Sequence, residues 1–445
     1  MRIHQKTILM FFILILILAT VQIQAQELTT SLTLEDAWQI ALQRNLTLQQ
    51  VEKSIQQARE EIKIQRSGFL PSLDGSASYH YQSQIPSLEL PFQIPGQGPI
   101  NIEAGFKNQY DLNVGVQQPI FTGFRNYHLV KAAREQFQAR LAGKESTQNQ
   151  LMLQIGQLYY NIQSNLLQQD IISQSILRAD NQLQKVRSLL EAEQAVPFDT
   201  LEIANRKLQQ QIQLKNLENV HQILLSQFNY LLNIDSVRAI RKASIQSITL
   251  SLNSLGDYQK TALEERPELD QLNFYKNAQS SQIKVFRSAL LPQVYASGSY
   301  HYAKPGVNFF KDEWADYYMV GINLQWSFWN WGQDYRKVKQ ARFEYDRLSL
   351  QNQDLIKQIE QQVKETYRFL ENVREQIELQ RKLVDQEQKR YQMTEDMYLQ
   401  AQATSLDLSD SERRLTEADL LLKEKYMEWY QNHLKMDYVT GTIGQ

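Results

Sequence analysis

The sequence predicts a mixed fold of long coiled-coil α-helices and β-strands of the type found in transmembrane barrels, arranged as an internal duplication. Three observations support this prediction. A stretch of sequence recurs at a fixed offset, two proline-free stretches have helical periodicity, and four short segments alternate apolar with polar side chains. Together they favour one elongated body over several ordinary domains.

The first 25 residues have the pattern of a cleaved export signal. Arg2 and Lys6 precede an apolar run from Ile8 to Ala19, and the small residue Ala25 stands before Gln26. The run is too short to span a membrane as a helix, so we predict that residues 1–25 are a signal peptide. The 445-residue chain contains no cysteine, so we expect neither disulfides nor a lipid anchor on cysteine.

Composition also restricts the function. The chain has 47 basic and 49 acidic residues, a formal net charge of -2, whereas nucleic-acid binding needs a marked basic excess on one face. The sequence has no HExxH motif, phosphate-binding glycine loop or nucleophile elbow. We therefore expect no nucleic-acid partner, no cofactor, no metal site and no enzymatic activity.

An internal repeat organises the chain. Residues 62–71 return as residues 283–292, and Tyr79-His80-Tyr81 returns as Tyr300-His301-Tyr302, both at an offset of 221. Further along, the offset falls to 208, which pairs Asp199 with Asp407. We predict a first structural repeat at residues 26–252 and a second at 253–445.

The change of offset means that the first copy carries 13 extra residues. They fall in a loop from about Ser83 to Lys107, which contains Pro86, Pro91, Pro95 and Pro99. Proline lacks an N–H and breaks regular structure, so we expect an exposed loop without helix or sheet ladder.

Each copy is predicted to contribute one β-hairpin, at about residues 72–121 and 293–328. From Leu73 to Gln82 the apolar residues occupy the odd positions, and the other three strands alternate in the same way. Segments of roughly ten residues with one apolar and one polar face are typical of membrane-spanning strands. An antiparallel sheet in a soluble sandwich would show the same alternation, so the strands alone do not decide between the two.

Long helices are predicted at about residues 124–193 and 332–401. Helices of about half that length are predicted at about residues 46–66 and 199–232 in the first copy and at about 267–287 and 406–436 in the second. Some 70 residues at ~1.5 Å each give a helix of roughly 100 Å. Such a helix cannot be buried in a compact domain and must pack along neighbours. Two half-length helices placed end to end would lie antiparallel beside each long one.

Four strands cannot close a barrel. The smallest membrane barrels have about eight strands, and an unpaired strand edge in hydrocarbon costs several kcal/mol per backbone group. Closure therefore requires other copies of the chain, and multiples of four leave eight, twelve or sixteen strands open.

The motifs resemble those of the TolC-like outer-membrane efflux protein family (outer membrane factors). The resemblance rests on Leu34-Glu35-Asp36-Ala37, Gly68-Phe69-Leu70-Pro71 and Gln118-Pro119-Ile120-Phe121-Thr122-Gly123, with their duplicated counterparts. It implies a homotrimer with a twelve-strand barrel in outer-membrane lipid and a twelve-helix periplasmic α-barrel. It further implies a Gram-negative outer-membrane exit duct of a tripartite efflux or type I secretion system, working with a periplasmic adaptor (membrane fusion) protein and an inner-membrane transporter.

The resemblance also implies candidate site residues. Asp407 and Asp410 match acidic positions of the periplasmic entrance gate, and Tyr398 matches a tyrosine that helps to hold the tip closed, with Asp199 as a second candidate for that tip latch. Six carboxylates from three chains would favour cations and raise their own affinity for protons. The arginine expected to accompany Tyr398 is Ala403 here, which weakens that latch.

Each candidate also has a structural interpretation. Asp199 and Asp407 fit helix N-terminal capping, Glu202 with Arg206 and Asp410 with Arg414 fit i, i+4 ion pairs, and Tyr398 fits helix packing. His80 and His301 fit a metal ring less well than polar residues that face a lumen. The alternative function is a periplasmic coiled-coil adaptor or structural protein, which would have one helical hairpin per chain instead of two.

Overall fold

The computed structural model describes residues 32–89, 101–235, 240 and 250–444. The predicted signal peptide and three of the loop prolines, Pro91, Pro95 and Pro99, lie outside the described residues. The described elements are, in order, α1 (Leu34–Arg44), α2 (Leu46–Ser67), β1 (Ser72–Tyr81), β2 (Ser87–Glu89), β3 (Asn101–Glu103), β4 (Asn108–Phe121), α3 (Arg125–Glu191), α4 (Pro197–Leu232), α5 (Leu255–Glu265), α6 (Pro267–Ser288), β5 (Gln293–Lys304), β6 (Ala315–Gln325), α7 (Gln333–Leu399) and α8 (Ser405–Thr440).

The chain divides into two compact units. Unit 1 comprises Met1–Glu52, Gly143–Leu269 and Asp354–Gln445, and unit 2 comprises Lys53–Ala142 and Asp270–Gln353. The two long helices, α3 and α7, each have 67 residues and contribute to both units. At ~1.5 Å per residue, each is roughly 100 Å long.

Unit 1 is a helical body with cores at heptad-like spacing. On α7 the wholly buried residues Ile359, Val363, Leu370 and Ile377 follow each other at intervals of four and seven, and they pack against α8. Burying two apolar positions in seven is the pattern by which one helix seats against its neighbours in a coiled coil. A second core joins α1, α3 and α4 around Phe228.

Two short helices of unit 1, α1 and α5, were not individually predicted. Thr33 and Asp36 form a reciprocal capping box at the start of α1. Ser254 accepts a hydrogen bond from the backbone N–H of Asp257 at the start of α5, at 3.2 Å. The spacing of a hydroxyl residue three positions before an acid is the signal that could have located both helices.

Unit 2 contains a four-stranded antiparallel sheet in the order β1-β4-β5-β6. Tyr79 pairs with Tyr110, and Tyr300 pairs with both Val114 and Tyr318, so apolar residues of all four strands share one face. On the other face Asn113 pairs with both Ser76 and His301. The register is continuous except for a shift between Pro119 and Phe121 in the pairing of β4 with β5. It gives the sheet one apolar and one polar face, because side chains alternate along a strand.

The predicted loop between β1 and β4 differs from expectation. It contains a two-stranded antiparallel ladder in which β2 pairs with β3, and the expectation of a loop without ladder was wrong. Pro86 stands just before β2. Its carbonyl accepts a hydrogen bond from the backbone N–H of Ala104 at 2.8 Å. Proline's missing donor is harmless at that position. The second hairpin also ends earlier than predicted, at Gln325 instead of about 328.

No helix within the described parts of the chain combines the length and the apolar character needed to cross a membrane.

Candidate functional site

The apolar face of the unit 2 sheet is uncovered in the single chain. Leu73 on β1 is 76% exposed, and Val320 and Ile322 on β6 are 80% and 77% exposed. Contiguous exposed apolar surface of this kind marks contact with lipid or another protein. Strands β1 and β6 are the sheet's outer strands, and each is paired within the sheet on one side only.

The polar face of the sheet carries a hydrogen-bonded histidine. His301 Nδ1 lies 3.1 Å from an Asp111 carboxylate oxygen, and His301 Nε2 lies 3.0 Å from Ser299 Oγ. It also stacks on the Tyr317 ring with centroids 4.8 Å apart. Its repeat mate His80 lies on β1, which is not adjacent to β5. The described residues contain no group of three or more His, Cys, Asp or Glu suited to a metal ion.

Two helix reversals at one end of unit 1 hold the predicted entrance residues. The first joins α3 to α4 and the second joins α7 to α8. Both turn through a left-handed residue, Glu193 and Ala401, each with φ of 56°. A backbone hydrogen bond of 2.8 Å closes each turn. Gln194 N–H donates to the Leu189 carbonyl, and Gln402 N–H donates to the Met397 carbonyl. The two turns are therefore closely similar in backbone geometry.

Asp407 closes a capping box at the second reversal. Its carboxylate accepts hydrogen bonds from the Thr404 hydroxyl at 2.6 Å and the Thr404 N–H at 2.9 Å, and its own N–H donates to Thr404 Oγ1 at 3.2 Å. These bonds hold the pKa of Asp407 below its ordinary value. The capping interpretation thus describes Asp407 in the single chain, and its role in an entrance remains a prediction.

Asp410 is surrounded by arginines. It accepts hydrogen bonds from Arg413 at 2.7 Å and Arg414 at 2.8 Å, and Arg390 approaches to 3.4 Å from α7. The first two arginines lower the pKa of Asp410. The predicted i, i+4 pair with Arg414 is present. Within one chain, therefore, both acids bind protons less readily than usual, opposite to the effect expected of six clustered carboxylates.

Asp199 joins the two reversals. One carboxylate oxygen accepts the N–H of Val196 at 3.2 Å, and the other accepts the hydroxyl of Ser405, the first residue of α8. Tyr398 packs among apolar residues of both reversals, including Ile203 and Leu408. Burial and the nearby Asp199 carboxylate raise the pKa of Tyr398. The structure brings the two latch candidates together, and a latch function remains a prediction.

The expected ion pair between Glu202 and Arg206 is not the principal contact of Arg206. Its guanidinium instead donates to Ser409 Oγ at 2.9 Å and to Gln182, and its Nε lies 3.8 Å from Glu412. The Arg206 side chain is only 10% exposed, and it lies against the wholly buried carboxylate of Glu412 instead of pairing with Glu202 on its own helix.

Glu412 is the functional candidate that the sequence analysis missed. Its side chain is wholly buried and accepts hydrogen bonds from Ser175 at 2.6 Å, Arg178 at 2.8 Å and Thr416 at 2.9 Å. A buried carboxylate with two arginines links α3, α4 and α8 close to the reversals. In the sequence Glu412 was one acid among many in a polar helix, and only its unusual position on the apolar side of α8 could have revealed it.

Comparisons with known proteins agree with this architecture. A family model described as "Outer membrane efflux protein" matches residues 37–228 and 259–442. None of the curated proteins compared with the chain matches it.

Solved structures of channels share the fold. CusC, whose structures are described in terms of transmembrane channel formation, has a TM-score of 0.78, 14% identity and 92% coverage of each chain. The outer membrane protein VceC of Vibrio cholerae has a TM-score of 0.73, 15% identity and coverage of 92% of this chain and 96% of that chain. The CmeC outer membrane channel of Campylobacter jejuni has a TM-score of 0.71, 14% identity and coverage of 94% and 89%.

The family model covers most of the chain in two segments, one in each predicted repeat, and solved channels share the fold. This chain therefore belongs to the outer membrane efflux protein family and is an outer-membrane channel for efflux.

Proposed function

We propose that three copies of this chain close a twelve-strand barrel in the outer membrane of a Gram-negative cell and a twelve-helix α-barrel in its periplasm. The assembly forms the exit duct of a tripartite efflux or type I secretion system. A periplasmic adaptor protein and an inner-membrane transporter deliver the cargo to it. The observation that carries this proposal is a four-stranded sheet with an uncovered apolar face and two outer edges.

The sheet argues for assembly inside a bilayer. In hydrocarbon, each unpaired backbone N–H or C=O costs several kcal/mol, which an isolated sheet would incur along β1 and β6. Pairing β1 of one chain with β6 of the next satisfies both edges in every copy. The exposed face, with Leu73, Val114 and Val320, then contacts lipid, and the face with Asp111 and His301 lines the lumen.

The helices of unit 1 also have faces without an apolar partner in the single chain. On α7, exposed apolar residues recur at intervals of ten and four: Phe369, Leu379, Leu383, Met393 and Met397. On α4, exposed apolar residues include Leu201, Leu208, Ile212, Ile223 and Tyr230. The spacing on α7 averages the 3.5 residues per turn of a coiled-coil seam. The exposed apolar faces of α4 and α7 fit packing against neighbouring copies.

In this proposal Asp407 and Asp410 form the gate of the periplasmic entrance, while Tyr398 and Asp199 form the tip latch. Both acids are at the second reversal, and their lowered pKa values keep them negative at neutral pH. Three chains would then present six carboxylates, which favours cations in the entrance.

Cysteine cross-linking tests the trimer, and the chain has no native cysteine to interfere. Asn323→Cys on β6 is combined with Asp74→Cys, Ser76→Cys or Ser78→Cys on β1, all on the polar face. The two strands are three strand spacings apart in one chain, roughly 14 Å, which is beyond the reach of a disulfide. Any bond is therefore between chains, and we expect covalent dimers and trimers on gels without reductant.

The matched control replaces the β1 cysteine by Ala77→Cys, which lies on the opposite face and should not cross-link. A chain that stays monomeric, soluble without detergent and free of cross-links in all three pairs would contradict the trimer. It would favour the alternative of a periplasmic adaptor or structural protein.

Planar-bilayer recording tests the entrance gate. We expect Asp407→Ala with Asp410→Ala to raise single-channel conductance or to weaken block by divalent cations, because the carboxylates that attract those cations are removed. Glu424→Ala, an exposed acid elsewhere on α8, is the control. Unchanged conductance and block would leave Asp407 as a helix cap and Asp410 as an arginine partner only.

A further inference from the structure

A cavity of about 760 Å³ in unit 1 lies outside the proposed gate and latch. It is formed where α1, α3 and α8 meet, and it lies within the size range of small-molecule sites. Trp38, Tyr160, Tyr430 and the almost wholly buried Trp429 line it, together with Glu35, Asp437 and His433. No lysine or arginine is among the described residues that line it.

The aromatic side chains are held in fixed positions. The rings of Tyr160 and Tyr430 stack with centroids 5.4 Å apart and an interplanar angle of 13°. Trp38 is fixed by the bond from its indole Nε1–H to the carbonyl of Met152, at 2.9 Å. This indole donor is thus already used, and what Trp38 can offer a ligand is its ring surface.

The backbone brings these elements unusually close together. Gly156 on α3 faces Leu434 on α8, and a Cβ at residue 156 would overlap a Leu434 methyl carbon. At the end of α8, Gly441 adopts φ of 80° and Thr442 N–H donates to the Asp437 carbonyl at 2.8 Å. This turn brings Thr442 back to the cavity, so the wall is built from both ends of the chain.

We propose that this cavity binds an organic cation, a quaternary or protonated amine that carries an apolar or aromatic group. Aromatic faces attract cations through the ring quadrupole, most strongly for tryptophan and most usefully where water is excluded. Two carboxylates add charge attraction, and no basic side chain among the lining residues competes permanently. Cation binding here requires neither the proposed trimer nor the proposed role of the entrance acids.

The titratable groups that face the cavity predict how pH acts. His433 Nδ1 lies 3.6 Å from an Asp437 carboxylate oxygen, which raises the pKa of His433. As pH falls through that raised pKa, His433 becomes positive and neutralises Asp437. Glu35 on α1 remains, while burial and its negative neighbours raise the pKa of Tyr160 on α3 and keep its phenol neutral. Tyr430 on α8 also has a pKa raised by burial. Cation binding should therefore be strongest in mildly alkaline solution.

Isothermal titration calorimetry of the full-length protein in an uncharged maltoside detergent tests the site. The probe is benzyltrimethylammonium, and N-benzylacetamide is an uncharged compound of similar size. At pH 8.5 we expect the cation to bind and the uncharged compound to bind at least about tenfold more weakly. At pH 5.5 the affinity for the cation should fall roughly threefold to tenfold.

Two variants test separately the contribution of a carboxylate and the contribution of an aromatic ring to cation binding. Asp437→Asn and Tyr430→Leu should each weaken cation binding by about threefold to tenfold. In the first variant the midpoint of the pH dependence should move to lower pH, because His433 loses the carboxylate that raises its pKa. Glu424→Gln, an exposed acid on α8 outside the cavity, should bind as the unchanged protein does. Far-ultraviolet circular dichroism confirms that each variant is folded, and Glu35→Gln replaces any variant that is not.

The inference is overturned by any of three results: no binding of the cation by the unchanged protein at millimolar concentration, equal binding of the charged and uncharged compounds, or equal binding by Asp437→Asn, Tyr430→Leu and Glu424→Gln. None of these results depends on whether the protein is trimeric.

Discussion

The two helix reversals of unit 1 have nearly the same backbone but use their acids differently. At the second reversal, Asp407 completes a capping box with Thr404 on its own helix. At the first, the residue equivalent to Thr404 is Val196, which has no hydroxyl, and the repeat mate Asp199 caps a backbone N–H and binds Ser405. Asp407 therefore stabilises its own helix, α8, whereas Asp199 caps α4 and also connects α4 to α8.

A second pair of repeat mates diverges in the same direction. Arg414 is half exposed and binds the surface acid Asp410, whereas Arg206 is directed toward buried Glu412. Duplicated residues thus keep their place on the helix but not their partners. Partners depend on what the neighbouring helix places opposite, and here α4 and α8 face different surroundings.

The largest effect is expected from the buried carboxylate. Glu412→Ala leaves Arg178 and Arg206 without their shared partner and should lower the free energy of unfolding by about 3–5 kcal/mol. The measurement is denaturant unfolding followed by circular dichroism. Glu417→Ala removes an exposed acid paired with Arg413 on the same helix and should change it by less than about 0.5 kcal/mol. Equal losses of unfolding free energy in the two variants would show that buried Glu412 stabilises the fold no more than exposed Glu417 does.

A cap exchange makes the reversals alike. Thr404→Val should lower the free energy of unfolding by about 1 kcal/mol, because it removes the hydroxyl that caps α8. The reciprocal change Val196→Thr gives α4 the same cap and should raise it by up to about 1 kcal/mol. The same denaturant curves measure both. If Val196→Thr destabilises the protein, the first reversal cannot accept the geometry of the second.

The connection between the reversals can be removed separately from the cap. Ser405→Ala breaks the bond to Asp199 and leaves the Thr404 box intact. We expect the stability to fall by about 1 kcal/mol, the usual contribution of one hydrogen bond, and amide exchange at the start of α4 and α8 to become faster. The control is Ser188→Ala, which removes an exposed hydroxyl that bonds only within α3, to the Gln184 carbonyl. Unchanged exchange in Ser405→Ala would mean that Asp199 acts only as a cap.

The smallest effect concerns pH. The pKa values of Asp407 and Asp410 are lowered by folding, so their stabilising contribution is present above the ordinary pKa of 3.8 and is lost as pH falls through the lower folded values. The thermal midpoint should therefore decline below about pH 4. In Asp407→Asn with Asp410→Asn this decline should be shallower. An identical pH profile would show that neither acid changes its proton affinity on folding.

Much of the fold could be read from periodicity. The two long helices and the four alternating strands depend on local spacing, which is why their approximate positions needed no tertiary information. The repeat is visible when the two halves of the sequence are compared. The short helices α1 and α5 had capping signals at Thr33 and Ser254 that were not used. The ladder between β2 and β3 was missed because prolines dominate the composition of the loop, although none lies within the paired residues.

The order of the amino acids is enough to assign residues to the apolar and polar faces of the strands and helices, because side-chain direction follows from the 2.0 and 3.6 residue periods. The partner of each polar residue depends on the three-dimensional packing of the chain. Asp199 reaches Ser405 and Arg206 reaches Glu412 across more than 200 residues of sequence, and the aromatic cavity is assembled from α1, α3 and α8. Such contacts depend on the positions of whole helices, which local patterns do not encode.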